Sequence, residues 1–272
     1  MHKLELFDEE KKIWYSKYFY LPIEEATEAD RVFLDTPMDP AKTIPVDNFL
    51  DFIRVKDTPE EVENGYCVDQ NGHGYLTCTM YYSDITPDMI DWWMGFCTRR
   101  PKSALFGHGN LRYKIWSPYY HWDHSFLDPS DPTSGLYINE MQDLDDGTMD
   151  IKELISRGVP PVKAGVPKEL IAAAKTAGYY ISMGNTYRHG QPTGFAVNVM
   201  KPTPEGGCRW QSVSWKGYYY KDGKPVAVPG EEPPSANALR GELMHNVLER
   251  RHLNAFLKEL YTIQSGKPID ED

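Results

Sequence analysis

The amino-acid sequence predicts an α+β fold, in which a long C-terminal helix lies across a curved antiparallel sheet. Several segments are rich in Thr, Tyr and Val and are separated by Gly-containing turns, a pattern typical of antiparallel strands. The stretch from Ser235 to Tyr261 contains no proline and repeats apolar residues at helical spacing. A helix of this length spans roughly 40 Å and can cover such a sheet, leaving a cavity between the two.

Residues 1–64 predict an irregular segment that wraps or covers the main body. The aromatic run at residues 14–20 has no clear period, and several prolines divide the residues that follow into short pieces. The aromatic side chains are expected to anchor the segment to the core. We therefore predict two regions, an N-terminal wrapping or lid segment at 1–64 and a helix-grip domain at 65–272.

The elements of the predicted domain follow in order. Residues 65–82 predict a β-hairpin, because Asn71-Gly72 is a strong hairpin turn signal. Thr86 and Pro87 predict the start of a helix with a buried or pocket-lining apolar face. The alternation in 111–116 predicts a half-buried strand.

The second half of the chain predicts further strands around one short helix. Residues 135–143 predict a strand, and 167–178 a compact helix that begins at a proline and ends at a glycine. Residues 185–200 predict a loop followed by a strand. A long strand is predicted at 207–220, before the turn that leads to the C-terminal helix.

Composition and charge exclude several classes of function. The chain has 29 basic and 40 acidic residues, a net charge of −11, which disfavours binding to nucleic acid or to anionic membranes. No segment approaches the ~18 consecutive apolar residues of a membrane span. The four cysteines are scattered, and the N-terminus lacks an apolar signal core, so we expect a cytoplasmic protein with reduced thiols. The many aromatic residues fit a pocket for a flat organic ligand, or an ordinary packed core.

A His/Glu pair on the predicted helix and a glutamate on a predicted strand indicate a candidate metal site. His245 and Glu249 are four residues apart on the predicted helix, so they share one side, and their neighbours there are apolar. A buried pair of this kind needs a partner such as a divalent metal, although a surface or satisfied pair is more common at this spacing. His252 lies seven residues after His245 on the same side of the predicted helix, and it is either a third ligand or part of the polar edge of the helix. Glu140 shares a strand face with Leu136 and Ile138, which predicts a buried carboxylate or an exposed edge strand.

Three segments together resemble one enzyme family. Residues 84–95, 111–118 and the His245-Asn-Val-Leu-Glu249 motif are similar, in this order, to the phloretin hydrolase/2,4-diacetylphloroglucinol hydrolase family over roughly 65–262. The resemblance implies a Bet v 1-like helix-grip domain that hydrolyses the carbon–carbon bond between an acyl group and a polyphenol ring. It also implies one zinc ion held by two histidines and two glutamates, a small aromatic ketone as substrate, and a homodimer.

The resemblance assigns roles to individual residues. His245 and Glu249 match the ligands on the helix, and Glu140 matches the earlier glutamate. His108 is our choice for the first histidine, and its rivals are His121, His124 and Cys97. His189 matches a further histidine of the active site, predicted to relay protons with a ligand Glu, and Asn110 is expected to hydrogen-bond a ring hydroxyl. An apparent insertion at 98–107 borders the predicted pocket, so the substrate is expected to differ from those of the named members.

Two other functions fit the same residues. A helix-grip protein that carries an aromatic or hydrophobic small molecule without catalysis would lack the metal. A third possibility keeps the metal and changes the reaction to that of a lyase, or to hydrolysis of another substrate resembling a β-diketone. Metal content separates the first alternative from the hydrolase, and turnover of acylphloroglucinols separates the second.

Overall fold

The computed structural model describes residues 3–55, 62–101, 107–143, 149–230 and 232–269. Its α-helices are α1 (Glu28–Leu34), α2 (Pro87–Cys97), α3 (Leu111–Lys114), α4 (Lys168–Thr176) and α5 (Ala236–Gln264). Its strands are β1 (Gly65–Val68), β2 (Gly74–Tyr82), β3 (His121–Asp128), β4 (Asp131–Asp143), β5 (Met149–Gly158), β6 (Tyr180–Arg188), β7 (Gln191–Pro202), β8 (Cys208–Lys216), β9 (Tyr218–Lys221) and β10 (Lys224–Ala227). Short 3-10 helices cover Glu10–Lys12, Trp14–Tyr20, Pro40–Lys42 and Val46–Phe52.

Eight strands form one sheet, in the order β1-β2-β8-β7-β6-β5-β4-β3, and β9 pairs with β10 separately. The pairs β1–β2, β2–β8, β7–β8, β6–β7, β4–β5 and β3–β4 are all antiparallel. An antiparallel sheet combined with a C-terminal helix confirms the predicted α+β helix-grip class. None of the helices in the described ranges has both the length and the apolar character needed to cross a membrane.

The chain divides into two compact units. The first unit contains Met1–Glu25, Asp88–Ser156 and Leu248–Asp272, and the second contains Ala26–Pro87 and Arg157–Val247. Strand β5 and helix α5 belong partly to each unit. The predicted N-terminal segment at 1–64 is thus shared between the units, and the predicted domain boundary at residue 65 stays a prediction.

In the second unit, alternate side chains of β1 and β2 face opposite sides of the sheet. On one side, Leu76 and Cys78 pack with Leu239, Leu243 and Val247, which recur at helical spacing on α5. The opposite side carries a second cluster, formed by strand residues, by the 3-10 helix at Val46–Phe52 and by α4: Phe49, Phe52, Tyr75, Ala174, Phe195, Val213 and Trp215. The first part of α5 therefore covers one face of the strands, as the sequence predicts.

In the first unit, three aromatic side chains of the N-terminal run are buried, namely Tyr15, Tyr18 and Phe19. The Tyr18 ring stacks on Phe256 of α5 at 5.1 Å between ring centroids, and Tyr15 contacts Phe96 of α2 at 5.7 Å. Trp93 of α2 packs edge-on against the same Phe256 at 5.5 Å. These contacts anchor the N-terminal aromatic run to two helices, as the sequence predicts.

Local turn and cap signals predicted several boundaries correctly. Gly72 lies in the turn between β1 and β2 with φ +81°, a conformation that glycine adopts without strain. Helix α2 begins at Pro87. Ser235 precedes α5, and its hydroxyl oxygen accepts the backbone N–H of Ala238 at 3.1 Å, which stabilises the helix start.

The strand predicted at residues 111–116 is wrong, because Leu111–Lys114 form the one-turn helix α3. Asn110 caps this helix, and its side-chain oxygen accepts the Arg112 backbone N–H at 3.0 Å. The alternation that suggested a strand depended on Arg112 and Lys114 facing solvent, yet both side chains are fully buried. The two charged residues therefore alternate with apolar residues as in a half-buried strand, although they are buried and paired inside the protein.

Two further boundaries differ from the prediction. Residues 185–188 continue β6 and are not a loop, since Asn185 pairs with Phe195 of β7. The long strand predicted at 207–220 divides into β8 and β9 at Gly217, whose φ is +81°. Both differences concern where a strand ends, and neither changes the order of elements.

Burial of His252 predicts that the protein loses stability on acidification. Its ring N–H donates to the Tyr18 carbonyl at 3.1 Å, and burial lowers the pKa of His252 to about 4. Between pH 6.5 and about 4 the unfolded chain binds the proton that the folded chain does not, so the stability contributed by neutral His252 is lost as pH falls through this window. The effect is of order 3 kcal/mol. Denaturant unfolding at pH 7 and pH 4.5 is expected to show a smaller pH difference for His252→Gln than for the wild type; equal differences would contradict it.

Candidate metal centre

Three side chains that metals favour meet in the first unit. His121 begins β3 and lies opposite Glu140 of β4 in the antiparallel register, so both point to one face of the sheet. The His121 Nε2 atom lies 4.0 Å from Glu140 Oε1 and 3.2 Å from Glu249 Oε2 of α5. One imidazole nitrogen thus faces two carboxylates from separate elements.

The tautomer of His121 is set by its second nitrogen. The Nδ1 atom lies 3.3 Å from the Tyr113 carbonyl oxygen, which can only accept, so Nδ1 carries the hydrogen and Nε2 presents a lone pair. Burial lowers the pKa of His121 to about 4, although the Glu140 charge opposes this, so the ring is neutral at neutral pH. An imidazole nitrogen beside two carboxylates is a donor set that a divalent cation such as zinc accepts.

Tyr113 of α3 contacts both His121 and Glu140. Its hydroxyl donates to Glu140 Oε1 at 2.6 Å, and its ring stacks on His121 at 3.7 Å with an interplanar angle of 5°. Burial, with the Glu140 charge second, raises the pKa of Tyr113 well above its ordinary value, so the phenol keeps its proton and donates it. The sequence does not predict Tyr113 as a site residue, because the strand predicted at 111–116 does not bring its side chain to Glu140 or His121.

The residues of α5 lie where their spacing predicts. Glu249 is buried, with 9% of its surface exposed, and His245 lies one turn before it and is half-buried. Leu248 and Leu253, which lie three residues after His245 and four after Glu249 on the same helix, are also buried, with at most 3% exposed. The pair is therefore not on a solvent-exposed stripe of the helix.

The predicted first ligand, His108, lies in a different environment from His121. Its ring stacks on Phe7 at 3.6 Å, and its backbone carbonyl accepts the Lys114 ammonium at 2.5 Å. The structure thus places His121, and not His108, beside Glu140 and Glu249. The spacing of histidines along the chain gave no means of choosing between them.

The other two rivals, His124 and Cys97, lie close to each other. The His124 Nδ1 atom is 3.9 Å from the Cys97 sulfur, and the His124 ring lies 4.7 Å from the Tyr113 ring. Burial, with His121 second, lowers the pKa of His124 to about 3. Burial raises the pKa of the Cys97 thiol, which disfavours the thiolate that binds metal.

A register shift in β3 brings the two histidines of this strand to one face. His121 pairs with Glu140, but Asp123 pairs with Asn139 and His124 with Ile138, so Trp122 is an extra residue. The Trp122 carbonyl accepts the Asn110 backbone N–H at 3.0 Å. A side chain at Gly109, where φ is +71°, would collide with that carbonyl, which explains the glycine.

The remaining predicted site residues have other surroundings. Asn110 is fully buried, and its amide N–H groups donate to the backbone carbonyls of Cys97 at 2.8 Å and His124 at 2.7 Å. His189 is exposed in the turn between β6 and β7, with φ +50°. Of the predicted insertion at 98–107, residues 102–106 lie outside the described part of the chain.

A separate cavity of about 290 Å³ lies in the second unit. It is lined by Pro40, by residues 43–47, by the β1–β2 turn, and by Tyr75, Trp215 and Tyr218. Tyr75 and Trp215 belong to the cluster on the face of the sheet opposite α5. None of the candidate metal ligands lines this cavity.

Comparison with known proteins gives a family match and a relative that is similar over most of the chain. A family profile described as the DAPG hydrolase PhiG domain matches residues 48–262. Phloretin hydrolase from Eubacterium ramulus is 27% identical over 276 residues, covering 95% of this chain and 93% of its own.

Two solved structures show weaker similarity. Ara h 8.0201 is 6% identical, covers 69% of this chain and 99% of its own, and has a TM-score of 0.39. The di-domain ARO/CYC StfQ from the steffimycin biosynthetic pathway is 9% identical, covers 69% and 51%, and has a TM-score of 0.38. Both scores lie too low to relate these folds in detail.

The contacts of Asn110 predict that its removal destabilises the protein. Asn110→Ala leaves two buried carbonyls without their donors and α3 without its cap, a loss of about 2–5 kcal/mol in the free energy of unfolding. Denaturant unfolding measures this loss, and Asn71→Ala in the exposed hairpin turn is the control. A large rise in KM with unchanged stability would instead support the predicted bond to a ring hydroxyl.

Proposed function

The chain belongs to the DAPG hydrolase family, and from this premise we propose that it hydrolyses the carbon–carbon bond between an acyl group and a phloroglucinol-type ring, using a bound zinc ion. The enzyme class, a hydrolase of carbon–carbon bonds, follows from the family and from the similarity to phloretin hydrolase over 95% of the chain. The zinc ion and the exact substrate are the parts that need testing. The observation that carries the metal proposal is the position of His121 Nε2, which lies 4.0 Å from Glu140 Oε1 and 3.2 Å from Glu249 Oε2.

We propose His121, Glu140, His245 and Glu249 as the metal ligands, with His121 in the place first predicted for His108. Among the described residues, His121, Glu140 and His245 form a candidate metal-binding group, and Glu249 reaches to 3.2 Å from His121. Two neutral histidines and two carboxylates neutralise a divalent ion, and zinc accepts this donor set. The residues present therefore fit the implied metal.

The surroundings of these residues suit the proposed reaction. When bound, zinc would supply a Lewis acid for the acyl oxygen and lower the pKa of water. The reaction adds the hydroxyl of water to the acyl carbon, while the electron pair of the broken bond goes to the ring carbon, which takes up a proton. Glu140 and Glu249 are carboxylates able to accept the proton of water, and Tyr113 holds Glu140 in position. His189 is the predicted source of the ring proton.

Metal content tests the choice of ligands. The purified protein is expected to hold one zinc ion per chain and to cleave phloretin or an acylphloroglucinol. His121→Ala is expected to lose both, because a Lewis-acid site needs its ligands, whereas His108→Ala is expected to keep both. Elemental analysis and product chromatography measure the two properties. A wild-type protein that binds phloretin without zinc and without turnover would instead be a carrier.

The role of His189 is tested by turnover at full metal occupancy. His189→Gln is expected to lower kcat by a factor of about 10²–10⁴, as loss of a proton donor does, while the zinc content stays unchanged. His73→Gln, in the turn between β1 and β2, is the matched control and is expected to keep the wild-type kcat. Wild-type turnover in His189→Gln would remove His189 from the reaction.

A further inference from the structure

The one-turn helix α3 links the candidate metal centre to both ends of the chain. Its residue Tyr113 contacts Glu140 and His121. The residues on either side, Arg112 and Lys114, are both fully buried. A helix of four residues is too short to be stable on its own, so contacts with the rest of the protein must fix its position.

Lys114 binds the N-terminal segment. Its ammonium lies 2.8 Å from Glu10 Oε1, and the other Glu10 oxygen accepts the Phe7 backbone N–H at 2.9 Å. The ammonium also lies 5.0 Å from the Phe7 ring centroid and 4.3 Å from that of Trp122. Because both charges are buried, each depends on the other for compensation, and the pair holds α3 against the segment.

Arg112 binds both ends of the chain. Its Nε donates to the Tyr15 hydroxyl at 3.1 Å, and its Nη1 donates to the Ile269 carbonyl at 2.5 Å. The guanidinium lies 4.1 Å from the Phe96 ring centroid. Arg112 therefore contacts the N-terminal segment, the C-terminal residues and α2.

We infer that Glu10 and Tyr15, through Lys114 and Arg112, are positioning residues that set the orientation of the metal ligands. They act on Tyr113, which orients the Glu140 carboxylate by its hydroxyl and the His121 ring by stacking and by its carbonyl. Substituting a group that holds a metal ligand in place typically lowers metal affinity by about 10–100-fold. The metal part of this inference rests on the proposed function.

The alternative is that these contacts only stabilise the fold. A contact of that kind lowers the melting temperature but leaves zinc affinity unchanged well below it. A positioning contact changes zinc affinity in protein that is still folded. The two explanations therefore differ in a measurable quantity.

The experiment compares matched variants of the N-terminal segment. Tyr15→Phe removes only the hydroxyl that Arg112 binds, and Glu10→Gln removes the charge that Lys114 binds. Tyr18→Phe is the control, because Tyr18 is equally buried in the same segment but stacks on Phe256. Zinc affinity is measured by competition with a chromophoric chelator, and hydrogen exchange is followed in peptides covering 107–121.

Tyr15→Phe and Glu10→Gln are each expected to weaken zinc binding about 10-fold and to speed exchange in 107–121, while Tyr18→Phe changes neither. Wild-type zinc affinity and exchange in folded Tyr15→Phe would overturn the inference, even if Glu10→Gln unfolds. A wild-type protein that binds no zinc would refute the metal proposal alone. The exchange comparison would then decide whether the N-terminal segment positions α3.

Discussion

The hydrogen bond from Tyr113 to Glu140 is the interaction on which the candidate site depends most directly. A carboxylate with 17% of its side chain exposed is costly to bury unless its oxygens are bonded, and the tyrosine satisfies one of them at 2.6 Å. The same tyrosine ring and carbonyl fix His121 in one orientation and one tautomer. One residue, Tyr113, therefore orients two ligands of the proposed metal site.

Helix α5 combines two functions along its length. In the second unit its apolar residues pack on β1 and β2 and hold the core together. In the first unit it presents Glu249 to His121 and packs Phe256 between Tyr18 and Trp93. The two parts of α5 therefore contribute different side chains, apolar ones to the core of the second unit and Glu249 and Phe256 to the first unit.

Local signals in the sequence predicted the elements, and long-range pairing decided the site. The hairpin at Asn71-Gly72, the start of α2 and the limits of α5 follow from turn, cap and periodicity rules that act over a few residues. The sequence predicts a strand where the structure has helix α3, because the charged residues of this segment pair with residues that are far away in the chain, such as Glu10. The face of Glu140 could be predicted, but the histidine opposite it depends on the register between β3 and β4, which the order of motifs does not contain.

The extra residue Trp122 has a consequence for how such strands are compared. In a regular strand, residues three apart point to opposite faces, so His121 and His124 would be separated by the sheet. The bulge restores them to one face, where they pair with Glu140 and Ile138. The sequence spacing of two histidines in a strand therefore shows whether they share a face only when the position of the bulge is known. In this protein the hydrogen bond from the Asn110 backbone N–H to the Trp122 carbonyl, and the absence of a side chain at Gly109, stabilise the bulge.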